Sequence, residues 1–298
     1  MKLAAIDIGS NAARLLLTEA TVDDKNKPSF NKISLIRVPL RLGFDVFETG
    51  RISDHKIDLL LSTMKGFSGL IKAFEVKALK ACATSAMRDA SNTQEIICLV
   101  KQETGIEIEV ISGSEEASFV FENHIAENMD KDHSYLYIDV GGGSTELTFY
   151  SNNNMVFKDS FNIGTIRLLK NAVADESWNE MKEDIKAKTK GHKQVTAIGS
   201  GGNINKIFSL SKRKDGKSLP LDLLRDYYKE LSNVSLKDRI NIYKLRDDRA
   251  DVIVPALQIY INAMRWAGAT EIYVPRIGLA DGLVQHLWEE QKAKGDLN

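Results

Sequence analysis

Apolar and polar positions alternate with two different periods along this chain, and the alternation predicts strands interleaved with helices. Residues 135–140 form an apolar run rich in β-branched and aromatic side chains, which favours a buried strand. Residues 57–74 instead repeat apolar side chains at helical spacing, after a serine at position 53 that we expect to cap a helix. Residues 106–111 alternate strictly, as a half-buried strand does. Strands and helices in this order predict an α/β fold.

Two further features of the first half complete this prediction. Residues 38–53 read as a polar, glycine-containing stretch around Arg41. Asn92 begins an N-x-x-E pattern with Glu95, which predicts a capping box at the start of another helix.

The strand at residues 135–140 ends in an unusual way, because Asp139 interrupts it and a turn of glycines and hydroxyl residues follows. An unpaired carboxylate in a buried strand is costly, and glycines let a ligand approach the backbone N–H groups closely. One interpretation is a plain β-hairpin turn. The other is a phosphate-binding loop with a carboxylate placed to hold a metal ion. The residues of this candidate loop are Gly141, Gly142, Gly143, Ser144 and Thr145.

The same layout occurs 132 residues earlier, where Asp7 stands in the position of Asp139 and Arg14 in that of Glu146. Such an offset is too long for a solenoid repeat and indicates a duplicated domain. We therefore predict two similar lobes, residues 1–125 and 126–298, each presenting a hairpin loop to a shared cleft that grips phosphate. The polar residues 126–133 are the predicted crossing from one lobe to the other.

A third glycine-rich turn follows the apolar run at residues 195–198 and opens a helix. This arrangement directs backbone donors at an anion or a nucleotide, although a plain turn is an equal alternative. Its candidate phosphate-binding residues are Gly199, Ser200 and Gly201.

Composition and charge exclude several classes of function. The 298 residues allow two domains of ordinary size, and a net charge of −1 provides no overall positive field for nucleic acid. No apolar run is long enough to span a bilayer, and we expect no signal peptide. Cys82 and Cys98 fit no metal or redox motif, so both are predicted to be buried thiols. We expect a cytoplasmic protein with neither nucleic acid nor membrane as a partner.

With these motifs in place, the chain resembles the exopolyphosphatase and guanosine pentaphosphate phosphohydrolase (Ppx/GppA) family over nearly its whole length. The resemblance implies the actin-like ATPase fold, with two duplicated ribonuclease H-like lobes around a central cleft. This sequence departs from the family at Ala12, where a second serine is usual, and in having no extra C-terminal helical domain. The segments that carry the resemblance are DIGSNAARLL (7–16), RLG (41–43), ATSAMRDASN (83–92), ISGSEEA (111–117), DVGGGSTEL (139–147) and GSGGNI (199–204).

The resemblance also implies roles for single residues. The second glutamate of EEA is the catalytic one in the family, so Glu116 is expected to orient and deprotonate the attacking water. From the sequence alone, an equally simple role for Glu115 and Glu116 is to stabilise a helix N-terminus. Asp139 and Glu146 are the candidate metal carboxylates, and Mg²⁺ or another divalent cation suits them.

Four residues of the first lobe are expected to contact phosphate: Ser10, Asn11, Arg14 and Arg88. Arginine is suited to bidentate phosphate contacts. The alternatives are that Arg88 pairs with Asp89, and that Glu146 is an exposed strand residue. Asp7 either shares the metal or orients its own loop.

The expected function is a metal-assisted phosphohydrolase that releases terminal phosphate from inorganic polyphosphate, guanosine pentaphosphate or both. Two alternatives remain open: an ATPase or sugar kinase of the same superfamily, and a sensor that binds polyphosphate or alarmone with little turnover. A homodimer is possible by resemblance. Because the chain ends soon after Trp288 and has one modest basic run at residues 212–217, we also expect distributive or weakly processive cleavage of long chains.

Overall fold

The computed structural model describes residues 1–23, 27–125, 133–152, 154–192, 194–275 and 277–295, without the side chains of 120–125. It divides into two compact units, of which unit 1 comprises Met1–Ser112 with Leu279–Asn298 and unit 2 comprises Gly113–Gly278. The predicted crossing at residues 126–132 lies outside the described residues. Between them the units show an α/β architecture with two sheets, as the sequence predicts.

The sheet of unit 1 has the strand order β3-β2-β1-β4-β5. Its first three strands form an antiparallel meander, and β4 and β5 then join parallel to β1. Parallel neighbours need crossover connections, and helices supply them here. The strands are β1 (Lys2–Ile8), β2 (Ala12–Val22), β3 (Pro28–Pro39), β4 (Ala78–Ala83) and β5 (Ile108–Val110).

The helices of unit 1 cover this sheet and close a core that includes Ile6, Leu15, Met64 and Ile96. The α2 helix is the longest in the described chain, and its buried positions follow the helical spacing predicted from the sequence. The helices are α1 (Leu42–Thr49), α2 (Asp54–Ala73), α3 (Ser85–Asp89), α4 (Thr93–Thr104) and α13 (Leu279–Lys294).

The sheet of unit 2 repeats this topology. Its order is β10-β11-β9-β6-β7-β8, so an antiparallel meander of β6, β7 and β8 is again followed by parallel neighbours, β9 and β11. The short β10 adds an antiparallel edge. The strands are β6 (Ser134–Val140), β7 (Thr145–Ser151), β8 (Asn154–Phe161), β9 (Val195–Ser200), β10 (Leu219–Pro220) and β11 (Glu271–Tyr273).

The core of unit 2 lies between one face of its sheet and a group of helices, and it includes Leu136, Phe149, Phe208 and Leu257. Buried residues recur at helical spacing along the whole of α12, from Ile253 to Ala267, so this helix lies at the centre of the packing. The helices are α5 (Gly113–Ile125), α6 (Thr165–Leu169), α7 (Asp175–Thr189), α8 (Gly202–Leu210), α9 (Leu221–Ser232), α10 (Leu236–Asn241), α11 (Asp247–Ala250) and α12 (Ile253–Ala267).

The duplication predicted from the two Asp-containing hairpins is confirmed by strand register. Asp7 lies directly opposite Arg14 across β1 and β2, and Asp139 lies directly opposite Glu146 across β6 and β7. The two pairs therefore occupy equivalent places in two sheets of the same order.

Two elements belong to different units from those assigned by the predicted boundary at residue 125. The helix α5, which carries Glu116, clusters with unit 2, and α13 at the end of the chain clusters with unit 1. Each packs against strands that are distant in sequence: α5 contacts β7 and β8, and α13 contacts β1, β2 and β4. Sequence proximity alone does not reveal such contacts.

Two helix caps and one cysteine differ from the predictions. Ser53 and Asn92 occupy N-cap positions, but neither side chain caps its helix. Asn92 instead exchanges hydrogen bonds with the Ile52 backbone, at 3.1 Å to its N–H and 2.9 Å to its carbonyl. Cys82 is buried as predicted, whereas the prediction for Cys98 is wrong, because it lies on the solvent side of α4.

Among the helices of the described chain, none combines the length and the apolar character needed to cross a bilayer.

Candidate active site

Three carboxylates from three elements of unit 2 form the candidate site. Glu116 comes from the first turn of α5, Asp139 from the end of β6 and Glu146 from the start of β7. Their ligand atoms lie within 4.8 Å of one another. Glu116 is 8% exposed and Glu146 is 3% exposed, so the alternative of an exposed strand residue at Glu146 is wrong. The structure thus brings together the predicted catalytic residue and both predicted metal carboxylates.

Two hydroxyl groups fix the orientation of Glu146. Ser144 donates to Oε1 at 2.6 Å, and Ser160 of β8 donates to the same oxygen at 2.9 Å. Hydrogen bonds of this kind hold the rotamer of the carboxylate. Ser144 was predicted as a phosphate ligand, and in this structure its hydroxyl donates a hydrogen bond to Glu146. Ser160 was not predicted, because it is one of several hydroxyl residues on a strand without a distinguishing pattern.

The start of α5 is held close to Glu146 by a glycine. A Cβ on Gly113 would overlap the Ser160 side chain and lie 3.5 Å from Glu146 Oε1, so only glycine allows this approach. One turn later, Lys158 of β8 donates to the Ser118 hydroxyl. These contacts fasten α5 to β8 and place Glu116 beside the other two carboxylates.

The charge of this cluster suits a divalent cation. Three carboxylates within 4.8 Å repel one another in a buried setting, and a bound cation relieves that repulsion. All three offer hard oxygen ligands, which Mg²⁺ and similar ions prefer. Within the described residues, these are the only three acidic, histidine or cysteine side chains grouped closely enough to hold a metal. The residues present therefore fit the predicted divalent cation.

The carbonyl groups of the loop Gly141–Gly143 accept hydrogen bonds from the segment that begins α6. Thr165 N donates to Gly141 O at 3.1 Å and Ile166 N to Gly142 O at 2.8 Å, so the first turn of α6 binds the loop carbonyls. Thr145 Oγ1 donates to Ile163 O at 2.6 Å and ties the far side of the loop to the same segment. In the described part of the chain, the N–H groups of Gly142 and Gly143 have no protein acceptor. A turn with open amides is typical of an anion-binding loop.

Two residues before and within α6 complete this arrangement and were missed in the sequence. A Cβ on Gly164 would overlap the backbone of Gly142 and Gly143. Arg167 Nε donates to Gly143 O at 2.6 Å, and Arg167 N donates to Gly142 O at 3.3 Å. The segment IGTIRLL carries no phosphate-loop signature of its own, so only its contacts reveal that it supports the loop.

Replacing Arg167 by methionine is expected to raise KM for a phosphoanhydride substrate about tenfold, because a charged donor contributes roughly 1.5–3 kcal/mol to its hydrogen bond. The apolar stem remains, so the loss falls on the Gly143 carbonyl and the order of the loop. Steady-state phosphate release measures KM. The matched control is Arg225→Met, which removes an exposed guanidinium paired with Asp222 at 2.9 Å. Equal KM values for both variants would show that Arg167 does not support the loop.

The third predicted loop ends β9 beside Asp139. Ser200 is the register partner of Asp139, and Gly201 has φ +103, a backbone conformation that side-chain-bearing residues rarely adopt. Arg249 Nη2 lies 2.8 Å from the position of a Cβ on Gly202. Burial, and then the Arg249 charge, lower the pKa of Lys206 on the next turn of α8. Arg249, beside the start of α8, suits an anionic ligand at this turn, and it was not predicted.

The predicted phosphate-binding residues of unit 1 each contact other residues of that unit. Arg14 Nη1 donates to Asp7 Oδ2 in an ion pair, which favours loop orientation over metal binding for Asp7. The Ser10 hydroxyl is 2.7 Å from that of Ser85, and the Asn11 carbonyl accepts from two amides, at 3.2 Å from Leu40 and 3.0 Å from Arg41.

Arg88 Nη1 donates to Ile111 O at 2.7 Å. This contact with the Ile111 backbone was not predicted, and the pairing of Arg88 with Asp89 stays an alternative. The phosphate-binding roles of Ser10, Asn11, Arg14 and Arg88 stay predictions.

Comparison with known proteins gives relatives over most of the chain. Exopolyphosphatase 1 of Mycobacterium tuberculosis is 25% identical over 307 aligned positions, which cover 95% of this chain and 87% of that protein. A bifunctional 3-dehydroquinate synthase/phosphatase of Fusobacterium nucleatum is 29% identical over 244 positions and 80% of this chain. The alignment spans only 35% of that longer protein.

Solved structures show the same fold. An exopolyphosphatase from Cytophaga hutchinsonii matches with a TM-score of 0.84 at 23% identity, covering 97% of this chain and 98% of that one. The Ppx/GppA family member of Aquifex aeolicus matches with a TM-score of 0.73 at 26% identity, over 97% and 98% of the two chains. Residues 21–290 match the sequence profile of the Ppx/GppA phosphatase family. This chain therefore belongs to the Ppx/GppA phosphatase family.

Proposed function

We propose that this protein is a divalent-metal-dependent phosphohydrolase that releases terminal phosphate from inorganic polyphosphate. The observation that carries the proposal is the cluster of Glu116, Asp139 and Glu146 in the same unit as a glycine loop with open amides. Hydrolysis of a phosphoanhydride needs a positioned water, charge neutralisation and donors for the phosphate oxygens. The residues of unit 2 offer each of these.

In the proposed reaction, Glu116 orients a water and accepts its proton as the water oxygen forms a bond to the terminal phosphorus. The bond from that phosphorus to the bridging oxygen breaks, and its electron pair stays on the shortened chain. The amides of Gly142 and Gly143 hold oxygens of the phosphoryl group, and Thr145 and Arg167 keep the loop in place. Asp139 and Glu146 would hold Mg²⁺, which when bound neutralises phosphate oxygens and supports the departure of the leaving group.

Relatives favour polyphosphate as the substrate, since the M. tuberculosis and C. hutchinsonii proteins are exopolyphosphatases. Guanosine pentaphosphate is the second candidate from the sequence. Arg249 at the end of the Gly199–Gly201 turn suits the phosphates of either compound. The possible homodimer stays a prediction.

One phosphate-release assay with long-chain polyphosphate, guanosine pentaphosphate and ATP, each titrated with Mg²⁺, tests the proposal. We expect polyphosphate to be hydrolysed with the highest kcat/KM and EDTA to abolish the activity. Faster hydrolysis of ATP would favour the superfamily ATPase. Tight binding of polyphosphate with negligible release in the presence of Mg²⁺ would favour the sensor and contradict the proposal.

A further inference from the structure

Tyr260, on the central helix α12 of unit 2, lies close to the candidate site. Tyr260 of α12 is 1% exposed, and it is among the largest fully buried side chains of the chain. Its hydroxyl donates to the carbonyl of Ser200, the last residue of β9. Buried tyrosines usually find one partner for this hydroxyl, so the bond alone does not imply a function.

The surroundings of the hydroxyl are unusual for a core position. Burial raises the pKa of Tyr260 well above its ordinary value, the Asp139 and Glu146 charges raise it further, and a hydrogen bond with the Val140 backbone opposes them. The hydroxyl is the donor in its hydrogen bond to the Ser200 carbonyl. Asp139 and Ser200 are register partners on neighbouring parallel strands, so the Tyr260 oxygen lies where the ends of β6 and β9 meet.

Gly201 shows how closely these groups approach one another. A Cβ at this position would lie 3.1 Å from Asp139 Oδ1, 3.3 Å from Val140 O and 3.5 Å from Tyr260 Oη. The Asp139 carboxylate, the end of β6 and the tyrosine hydroxyl thus surround one glycine of the third loop. Any shift of the Ser200 carbonyl moves Gly201 relative to the Asp139 carboxylate.

We propose that Tyr260 is a positioning residue, which anchors the Ser200–Gly201 turn and thereby fixes the place of the Asp139 carboxylate. The inference rests on the proposed function, because it concerns the metal and phosphate ligands of the same site. Tyr260 acts through Asp139 and Gly201 and has no contact with the reacting atoms. A purely structural tyrosine would support the core without affecting either ligand.

The test compares Tyr260→Phe with the wild-type protein in Mn²⁺ binding, measured by electron paramagnetic resonance without substrate. Phenylalanine keeps the ring in the core and removes only the hydroxyl. We expect the dissociation constant for Mn²⁺ to rise about 10- to 100-fold, as is usual when a group that orients a metal ligand is lost. The KM for Mg²⁺ in phosphate release should rise by a similar factor.

The matched control is Tyr243→Phe, which removes a tyrosine hydroxyl that donates to Glu230 at 2.6 Å in an exposed contact of the same unit. Its Mn²⁺ affinity should equal that of the wild-type protein. Thermal unfolding in EDTA reports the structural cost of each change separately from metal binding.

The outcomes separate the inference from the proposed function. If Tyr260→Phe unfolds at lower temperature but binds Mn²⁺ as the wild type does, Tyr260 is only a core residue and the inference is overturned. If the wild-type protein itself binds no Mn²⁺, the proposed metal site fails, and the inference with it. If Tyr260→Phe does not fold, Gly201→Ala probes the same contact from the loop, and unchanged Mn²⁺ affinity there overturns the inference.

Discussion

Replacing Glu116 by glutamine is expected to lower kcat for phosphate release by about 100- to 10,000-fold, the usual contribution of a general base. Glutamine keeps the shape of the side chain and removes its ability to accept a proton from water. Because Glu116 binds no substrate oxygen in the proposed reaction, KM for polyphosphate should change little. Both constants come from steady-state phosphate release at saturating Mg²⁺.

The position of Glu116 among the carboxylates allows a second role to be tested in the same variant. Its oxygens lie within 4.8 Å of those of Asp139 and Glu146, so it is also placed to bind metal. A lower kcat with an unchanged Mg²⁺ dependence identifies a base, whereas activity recovered at high Mg²⁺ identifies a ligand. The matched control is Glu115→Gln, an exposed neighbour on the same turn, which should behave as the wild type. Near wild-type kcat for Glu116→Gln would exclude it as the base.

Neutralising either of the other two carboxylates is expected to raise the Mg²⁺ concentration for half-maximal activity by at least about tenfold. Asp139→Asn and Glu146→Gln each remove one negative charge from a hard-oxygen site, and a magnesium site with few carboxylates depends on each of them. Glu146→Gln also weakens the charge-assisted bonds from Ser144 and Ser160. Activity titrated against Mg²⁺ gives this concentration, and calorimetry gives the metal affinity without substrate.

The control for this pair is Asp159→Asn, which neutralises an exposed carboxylate next to Ser160 on β8. If the higher Mg²⁺ requirement came from a long-range loss of negative charge, Asp159→Asn would show it as well. If it came from the loss of a metal ligand, Asp159→Asn would keep the Mg²⁺ dependence of the wild type. Unchanged titration curves for both Asp139→Asn and Glu146→Gln would remove these residues from the metal site.

Features set by neighbouring residues could be predicted well from the sequence. Strand residues 135–140, the Asp-containing hairpins and the helix after residue 53 all depend on contacts within a few positions, where period and residue type are informative. Several elements were nevertheless missed, and β3 and α1 are two examples. The edge strand β3 is largely exposed, so it lacks a clear apolar pattern, and α1 begins at Leu42 after an Arg41 with φ 54. A left-handed residue directly before a helix leaves no signal that the sequence pattern reveals.

The hydrogen-bond partners of individual polar side chains could not be predicted from the sequence. The sequence placed Ser144 in a phosphate loop, but its hydroxyl is directed to Glu146. The N-x-x-E pattern at Asn92 predicted a cap, but its amide pairs with Ile52, 40 residues away. Ser144 therefore bonds to a buried carboxylate two residues away, and Asn92 to a buried backbone group 40 residues away. In both cases the partner is a buried polar group that requires a hydrogen bond.

By itself, the sequence determined the α/β class of fold and the duplication, and its resemblance to the family pointed to the carboxylates of the candidate site. Each of these features lies in short segments such as DVGGGSTEL and SGSEEA. Only the tertiary structure decided which residues support them. Ser160, Arg167 and Tyr260 contact Glu146, Gly143 and Ser200 across 14, 24 and 60 positions of the chain. Such contacts depend on strand register and helix packing, which are properties of the whole unit. A serine, an arginine or a tyrosine in an ordinary segment acquires its role only from them.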